Sequence, residues 1–148
     1  MSALKQRLND DVKTALKSGD KNRVAALRLV LAAVKQREVD ERVTLEDADL
    51  TALLDKLAKQ RRESIDQYRQ GGREDLVARE QYELDLIVSY LPAALPQAEI
   101  DAAIAAAIGA CGATSIKDMG KVMAALKPAL QGRADMAAVS ALVRARLG

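Results

Sequence analysis

Apolar residues recur every three or four positions along almost the whole chain, and no segment alternates apolar and polar residues with a period of two. A spacing near 3.6 residues places apolar side chains on one face of an α-helix, whereas a half-buried strand requires strict alternation. The pattern therefore predicts an all-α protein.

Capping residues and glycines divide the first part of the chain into four predicted helices. Ser2 is placed to cap the first helix and Gly19 to end it, while Asp20 is placed to cap the second. Thr44, followed three residues later by Asp47, has the pattern of a capping box for the third helix. The apolar face predicted for the first helix comprises Leu4, Leu8, Val12, Ala15 and Leu16. The second helix carries Val24-Ala25-Ala26-Leu27 and Leu29 through Val34 and is apolar on nearly every side apart from Arg28, which is typical of a helix at the centre of a bundle.

Two prolines interrupt the helical pattern and divide the chain into two parts. They bracket residues 92–96, which are predicted to form a hinge because proline cannot continue a helix. We therefore expect two helical subdomains, an N-terminal bundle over residues 1–91 and a smaller C-terminal subdomain over residues 97–148. The first helix of the C-terminal subdomain is rich in alanine and is predicted to end at Gly109 and Gly112.

Two short runs near the C-terminus carry most of the local signals. Residues 118–123 read D-M-G-K-V-M, and residues 132–135 read G-R-A-D. Ser115 with the Asp at 118 predicts a capping box, and the apolar face of that helix comprises Ile116, Met119, Met123 and Leu126. Gly120 lacks a β-carbon on this helix, which suggests that another backbone comes close. Pro128 is expected to break the helix, and the Asp at 135 to cap a final one.

Both runs resemble the GatB/YqeY family, whose members carry a D-M-G-K-V-M run followed by a G-R-A-D turn. The resemblance extends upstream through Lys59-Gln60-Arg61, Gly72-Arg73-Glu74-Asp75-Leu76 and Tyr90-Leu91-Pro92, so it covers nearly the whole chain. The family includes the tail domain of the B subunit of the tRNA-dependent Glu/Asp amidotransferase, and small free-standing proteins that consist of that tail alone. With 148 residues, this chain resembles the free-standing YqeY-like type.

The resemblance implies a role in holding RNA rather than in catalysis. The B-subunit tail helps to hold the tRNA, and catalysis takes place in other domains of that complex. By resemblance, this chain is expected to be a non-catalytic helical module that binds tRNA or another structured RNA. An alternative is an accessory partner that docks to an amidotransferase or another protein complex. A third alternative, carbon–nitrogen ligase activity with glutamine as the nitrogen donor, follows from family association only.

The composition removes most kinds of catalytic site. The chain contains no His, Phe or Trp, and the absence of His removes Ser-His-Asp triads, Cys-His pairs and His-based zinc sites. Cys111 is the only cysteine, so no internal disulfide can form, and it has no His to act as its base. The only aromatic residues are Tyr68, Tyr82 and Tyr90, so we expect no stacking platform for single-stranded nucleic acid.

Two further patterns fall short of a catalytic or metal site. Gly120-Lys121 does not complete a phosphate-binding loop, because position 115 is Ser rather than Gly and position 122 is Val rather than Ser or Thr. Glu80 and Glu83 lie one helical turn apart, but without a His partner they are expected to be charged helix surface. We therefore expect no catalytic residue, no metal, no cofactor and no catalytic activity from this chain alone.

Positive charge is concentrated at the C-terminus. Residues 114–148 contain six basic and two acidic residues, a surplus of +4, which leaves −2 for residues 1–113 of a chain with net charge +2. A basic segment of this kind is either a nucleic-acid contact or a solvated helix face.

Five cations of this segment are the predicted RNA-binding residues. Lys117 and Lys121 lie one helical turn apart and can meet successive phosphates. Arg133 lies in the G-R-A-D turn beside the N-terminus of the last helix, and an arginine next to a helix N-terminus suits a phosphate. Lys127 and Arg144 are the next candidates.

The cluster Lys59-Gln60-Arg61-Arg62 has two readings of equal weight. It either binds phosphate backbone or forms ion pairs within its own helix with Glu63 and Asp66. The family resemblance favours a functional role for Arg61 and Arg73.

The compartment expected from the sequence is the cytoplasm. The N-terminal residues 2–11 are amphipathic and charged, unlike a signal peptide. No uncharged run is long enough to cross a bilayer, so no membrane partner is expected. A single cysteine fits a reducing environment.

Overall fold

The computed structural model describes residues 2–148, and in this range it contains seven α-helices and no strand. The helices are α1 Ala3–Ser18, α2 Lys21–Glu41, α3 Asp47–Gln70, α4 Glu74–Val88, α5 Gln97–Cys111, α6 Met119–Leu130 and α7 Met136–Leu147. A single 3₁₀ turn, Ile116–Asp118, leads directly into α6. The predicted all-α fold is confirmed.

The chain divides into two compact units, one that ends at Leu91 and one that spans Pro92–Gly148. In the first unit, α3 and α4 form a helical hairpin across a short connection, and α1 packs on α2. In the second unit, α6 packs against both α5 and α7. The core of the second unit comprises Ile100, Ile104, Val122, Leu126, Leu130, Val139, Val143 and Leu147.

The predicted caps of α1 and α2 are confirmed. The Ser2 hydroxyl accepts a hydrogen bond from the Lys5 N–H at 3.1 Å, and a carboxylate oxygen of Asp20 accepts one from the Arg23 N–H at 3.1 Å. Gly19 ends α1 in the left-handed conformation, with φ of +74°. Each of these contacts joins residues only a few positions apart, which is why the sequence alone locates them.

The predicted cap of α3 is wrong by two residues. Glu46 precedes the helix, and the Asp49 carboxylate accepts the Glu46 N–H at 3.1 Å. Asp47 instead accepts hydrogen bonds from the Ser2 hydroxyl and, at 3.1 Å, from the Leu4 N–H. These bonds hold the pKa of Asp47 below its usual value, with the Ser2 hydroxyl the largest cause. The aspartate therefore ties the start of α3 to the start of α1.

Three proline and glycine signals were also misread. Helix α6 continues through Pro128 to Leu130, because Leu130 is buried in the core and a proline so close to the helix end removes few hydrogen bonds. Helix α5 runs through Gly109 to Cys111, so Gly109 does not end it, whereas Gly112 caps its end as predicted, with φ of +62°. No atom lies within 4 Å of the position that a β-carbon on Gly120 would take, so no backbone comes close there.

Three apolar side chains that were assigned to buried or apolar faces lie on the surface. Leu16 is 52% exposed, Leu29 is 47% exposed and Ile116 is 49% exposed. Helical spacing places a residue on a side of its helix, but the neighbouring helix decides how far round that side burial extends.

Among residues 2–148, no single helix is both long and apolar enough to cross a bilayer. Helix α5 and the segment Ile116–Leu130 meet the length and composition criteria only as a pair, with a bend of 98° between them. Both contribute to the core of the second unit, which accounts for their apolar composition.

Candidate nucleic-acid interface

The 3₁₀ turn and α6 position Lys117 and Lys121. The Asp118 carboxylate accepts the Thr114 N–H at 3.0 Å and the Ser115 N–H at 3.4 Å, which confirms the predicted capping box. Helix α6 then buries one face, which comprises Val122, Leu126 and Leu130. At 100° per residue, Lys121 points away from that face, and Lys117 precedes it by one turn. Both lysines are exposed, and they lie four residues apart across the junction between the 3₁₀ turn and α6.

The two acidic residues of this segment serve as helix caps. The Asp135 carboxylate accepts the Ala137 N–H at 3.0 Å at the start of α7. Hydrogen bonds from the Thr114 and Ser115 backbone hold the pKa of Asp118 below its usual value, and the charge of Lys121 lowers it further. Both carboxylates are therefore directed to backbone N–H groups rather than to side-chain cations.

The cations of residues 114–148 have no salt-bridge partner in the part of the chain that the structure describes. All six ion pairs found there lie in the first unit. The exposed cations of the segment are Lys117, Lys121, Lys127, Arg144 and Arg146. Exposed cations without a salt-bridge partner are accessible to a negatively charged ligand.

The five predicted cations do not form one cluster. Lys127 follows Lys121 by six residues, which rotates it by about 120° around α6. Arg144 lies on a different helix, α7, next to the buried Val143. Of the predicted set, Lys117 and Lys121 are nearest to each other along the chain, since the 3₁₀ turn leads directly into α6.

Arg133 has a structural contact that the sequence did not reveal. Its Nε donates a hydrogen bond to the Ala93 carbonyl oxygen at 3.2 Å, and its own carbonyl oxygen accepts the Leu95 N–H at 2.9 Å. Gly132, with φ of +81°, makes the turn that presents Arg133 to this segment. The two bonds hold residues 93–95 against the turn. One of the guanidinium N–H groups is therefore already occupied, and its partner lies 40 residues away in the sequence.

Two of the cations of the first unit that the sequence analysis named, Arg61 and Arg73, are also engaged, whereas Lys59 and Arg62 are exposed. Arg61 Nε lies 2.8 Å from Glu83 Oε2 and 3.5 Å from Glu80 Oε2. These pairs join α3 to α4, so the ion pairs of Arg61 are between helices and not within its own helix. Arg73 forms a two-pronged contact to Asp75, with both N–O distances 3.2 Å. The two glutamates and the two arginines thus stabilise the α3–α4 hairpin and its connection.

Cys111 is half-buried beside α6. Its Sγ lies 3.8 Å from the Lys121 carbonyl oxygen, and its side chain packs against the core of the second unit. Across residues 2–148, no group of three or more His, Cys, Asp or Glu side chains is arranged to hold a metal ion.

Comparison with known families decides what kind of protein this is. A family model described as "Yqey-like protein" matches residues 5–147. The chain belongs to the YqeY-like protein family. The match includes the whole of α6 and α7 and both units of this YqeY-like protein.

Several curated relatives of this YqeY-like chain share the name "Altered inheritance of mitochondria protein 41, mitochondrial". The one from Eremothecium gossypii is 41% identical over 95 residues, which cover 64% of this chain and 51% of the relative. The one from Vanderwaltozyma polyspora is 38% identical over 98 residues, 64% of this chain and 52% of the relative. The one from Lachancea thermotolerans is 37% identical over 101 residues, 66% and 54% respectively. The chain spans about half the length of the curated relatives it matches.

These relatives overturn the expected location. The cytoplasm was inferred from the charged N-terminus and the single cysteine, and the relatives are named mitochondrial proteins. Neither feature separates the cytoplasm from another reducing compartment, which is why the inference failed.

The contact between Arg133 and Ala93 in this YqeY-like protein provides a test by proteolysis. Replacing Arg133 with Ala removes the Nε donor, so we expect cleavage within residues 93–95 to accelerate by roughly 2- to 10-fold, the equivalent of one lost hydrogen bond. Limited digestion with proteinase K, followed by mass spectrometry, measures the rate. Lys127→Ala is the matched control, because Lys127 is an exposed cation of the same unit whose side chain has no hydrogen-bond partner within residues 2–148. Equal cleavage rates in both variants would show that Arg133 does not hold this segment.

Proposed function

We propose that this YqeY-like chain is a non-catalytic RNA-binding module that holds structured RNA, with tRNA as the first candidate. The RNA contacts the side of the 3₁₀ turn and α6 that carries Lys117 and Lys121. The observation that supports this most strongly is the separation of charges. The carboxylates of residues 114–148 cap helices, while five of the six cations of that segment are exposed and none of the six has an ion-pair partner among the described residues. The resemblance to the amidotransferase tail supports tRNA as the ligand.

The position of Gly120 also favours an RNA contact on the side of α6 that carries Lys121. It lies between the two lysines, in a helix where glycine is less stable than alanine by about 0.5–1 kcal/mol. Apart from its two neighbours in the chain and the adjoining backbone of its own helix, no described atom comes within 4 Å of the place where its β-carbon would be, so packing against another element does not require a glycine. A bare stretch of backbone between two lysines allows a phosphodiester chain to approach more closely than a side chain would permit.

Gly120→Ala should therefore have two opposite effects. We expect it to raise the free energy of unfolding by about 0.5–1 kcal/mol, because alanine is the better helix residue. We also expect it to weaken tRNA binding, because the added methyl group occupies the space of the ligand. Denaturant unfolding and fluorescence anisotropy with labelled tRNA measure the two quantities.

Gly109→Ala is the matched control for this experiment. Gly109 is also an exposed helical glycine with open space around its missing β-carbon, but it lies on α5. The Gly109→Ala variant should have its free energy of unfolding raised as much as that of Gly120→Ala, and it should bind tRNA with the affinity of wild type. If Gly120→Ala bound tRNA with the affinity of wild type, tRNA would not contact this side of α6.

The class of RNA follows from the scarcity of aromatic residues. Three tyrosines and no Phe or Trp offer little stacking on unpaired bases, so contacts to the phosphate backbone should recognise folded RNA by its shape. Competition between labelled tRNA and an unstructured RNA of the same length tests this point. We expect unlabelled tRNA to displace the probe at lower concentration than the unstructured RNA. If both RNAs displaced the probe at the same concentration, binding would reflect only non-specific attraction between charges and not recognition of the folded shape.

A second function, docking to a protein, is favoured by the exposed apolar residues of the first unit. The amidotransferase-partner hypothesis belongs to this second function. For location, the proposal follows the names of the relatives and places the protein in mitochondria.

A further inference from the structure

An apolar groove runs along the first unit between α2 and α4. It has a volume of about 480 Å³ and is lined by Ala25, Leu29, Ala78 and Tyr82, among others. Leu29 is 47% exposed and Tyr82 is 40% exposed, which is unusual for side chains of this size. An adjoining groove of about 390 Å³ shares Ala25 and includes Leu16, which is 52% exposed. We call this combined surface, from Leu16 across α2 to Tyr82, the α2–α4 groove.

The rim of the α2–α4 groove is basic. Lys21, Arg28 and Arg79 line it and are exposed, and Arg79 Nε also lies 3.9 Å from Glu83 Oε1. Two acidic residues line it as well, but both are engaged. The Asp20 carboxylate caps α2 through the Arg23 N–H, and Glu83 lies 2.8 Å from Arg61. The cations that line the groove outnumber the carboxylates by three to two, and Lys21 and Arg28 have no ion-pair partner among the described residues. A partner therefore meets a small surplus of positive charge at the rim.

We propose that the α2–α4 groove binds an amphipathic helix of a partner protein, with apolar residues on its buried face and acidic residues along its flanks. A groove between two helices accepts the ridge of a third helix, and apolar anchors at helical spacing fill such grooves in known complexes. On α2, the lining residues Lys21, Ala25, Arg28 and Leu29 follow the spacing of a single exposed helix face. The acidic flanks follow from the basic rim, because opposite charges across an interface set its specificity.

Charge also argues against other occupants. A second copy of the chain bound through the same groove would bring two basic rims together, and like charges across an interface are unfavourable. The segment 114–148 of another copy is basic too, with a surplus of +4. A membrane surface is not favoured, because the apolar residues line a depression between helices, whereas insertion into lipid needs a protruding apolar face.

Three synthetic peptides of about 18 residues, long enough to form an amphipathic helix on binding, test the proposal. The first has leucines at helical spacing and glutamates on both flanks. The second has lysines in place of the glutamates, and the third keeps the glutamates but has serines in place of the leucines. By fluorescence anisotropy with the full chain, we expect the first peptide to bind, the second to bind at least roughly tenfold more weakly, and the third not to bind.

Variants of the protein locate the binding. Leu29→Ser and Tyr82→Ser should each lower the affinity for the first peptide by roughly tenfold, as expected for anchoring residues of an interface. Val39→Ser is the matched control, because Val39 is an apolar residue of α2, 62% exposed, that does not line the groove. If Leu29→Ser or Tyr82→Ser lowers the melting temperature, a double variant of two exposed residues, Arg28→Glu with Arg79→Glu, is used instead. This double variant should bind the lysine peptide more tightly than the glutamate peptide.

Four results would overturn the proposal. Equal affinity for the glutamate and lysine peptides would show that charge does not select the partner. If Val39→Ser weakened binding of the first peptide as much as Leu29→Ser does, the peptide would not bind in the α2–α4 groove. A dimer in sedimentation that Leu29→Ser dissociates would make a second copy the occupant. Binding of phosphatidylglycerol vesicles that displaces the first peptide would make the occupant a lipid surface. Because these measurements concern only the first unit, they can fail while the RNA proposal succeeds, and the reverse also holds.

Discussion

Reversing the charges of Lys117 and Lys121 together will weaken tRNA binding by at least roughly 100-fold. A hydrogen bond to a charged group contributes about 1.5–3 kcal/mol, and 1.4 kcal/mol corresponds to a factor of ten in affinity. Glutamate at both positions removes two such bonds and adds repulsion from the phosphates. Both side chains are exposed and neither has an ion-pair partner among the described residues, so the double variant should remain folded. Anisotropy with labelled tRNA measures the affinity, and circular dichroism confirms the fold.

The control for this prediction is a second double variant with the same change in charge. Lys13 and Lys17 lie four residues apart on α1, are exposed and have no ion-pair partner in the described chain. Lys13→Glu with Lys17→Glu should lower the affinity only through weaker long-range attraction. A loss equal to that of the α6 double variant would mean that net charge, and not a defined face, controls binding. Lys127→Glu and Arg144→Glu should have smaller effects, because neither lies on the side shared by Lys117 and Lys121.

Replacing Ile104 with Ala should unfold the second unit while the first remains folded. Ile104 is fully buried in the core formed by α5, α6 and α7. Loss of a buried isoleucine side chain costs about 2–5 kcal/mol, which is large compared with the stability of a small helical unit. Since the buried clusters of the two units are separate, we propose that they unfold independently.

Hydrogen exchange distinguishes independent from joint unfolding. In Ile104→Ala, amides of α5, α6 and α7 should lose protection while those of α1 to α4 keep it. Leu54→Ala, at an equally buried position of the first unit, should produce the opposite pattern. If either variant lost protection throughout, the chain would unfold as one cooperative body. Ile104→Ala should also abolish tRNA binding but leave the binding of the glutamate peptide unchanged.

The features that the sequence predicted correctly depend on local contacts. Ser2 and Asp20 cap helices by accepting N–H groups three residues away. The Asp118 carboxylate completes its capping box by accepting the Ser115 N–H, also three residues away. Both partners of such a bond are visible in a short window of sequence. Helix faces follow from the same short range, which is why the all-α fold was accessible without coordinates.

The features that the sequence misplaced depend on distant partners or on neighbouring helices. Asp47 has the spacing of a capping residue, but it bonds to Ser2 and Leu4, more than 40 residues away. Arg133 has the position of a phosphate ligand, but its Nε bonds to Ala93. Local spacing was satisfied in both cases, and tertiary packing selected a different partner.

The α2–α4 groove was missed for a related reason. The nearly all-apolar pattern of α2 indicated a central helix, and Leu29 was included in it. Burial on α2 is incomplete because α4 covers only part of that side, so Leu29 is left exposed beside Tyr82. An apolar residue that faces a gap between helices has the same sequence signature as one in the core.

The most direct test of the RNA interface is the salt dependence of tRNA binding by wild type and by the Lys117→Glu, Lys121→Glu double variant. Each phosphate neutralised contributes about 0.7–0.9 to the slope of log affinity against log salt concentration. If the two lysines contact two phosphates, the slope of the variant should be smaller by about 1.4–1.8, together with the lower affinity. The same affinity and the same slope in both proteins would show that tRNA does not bind this side of α6.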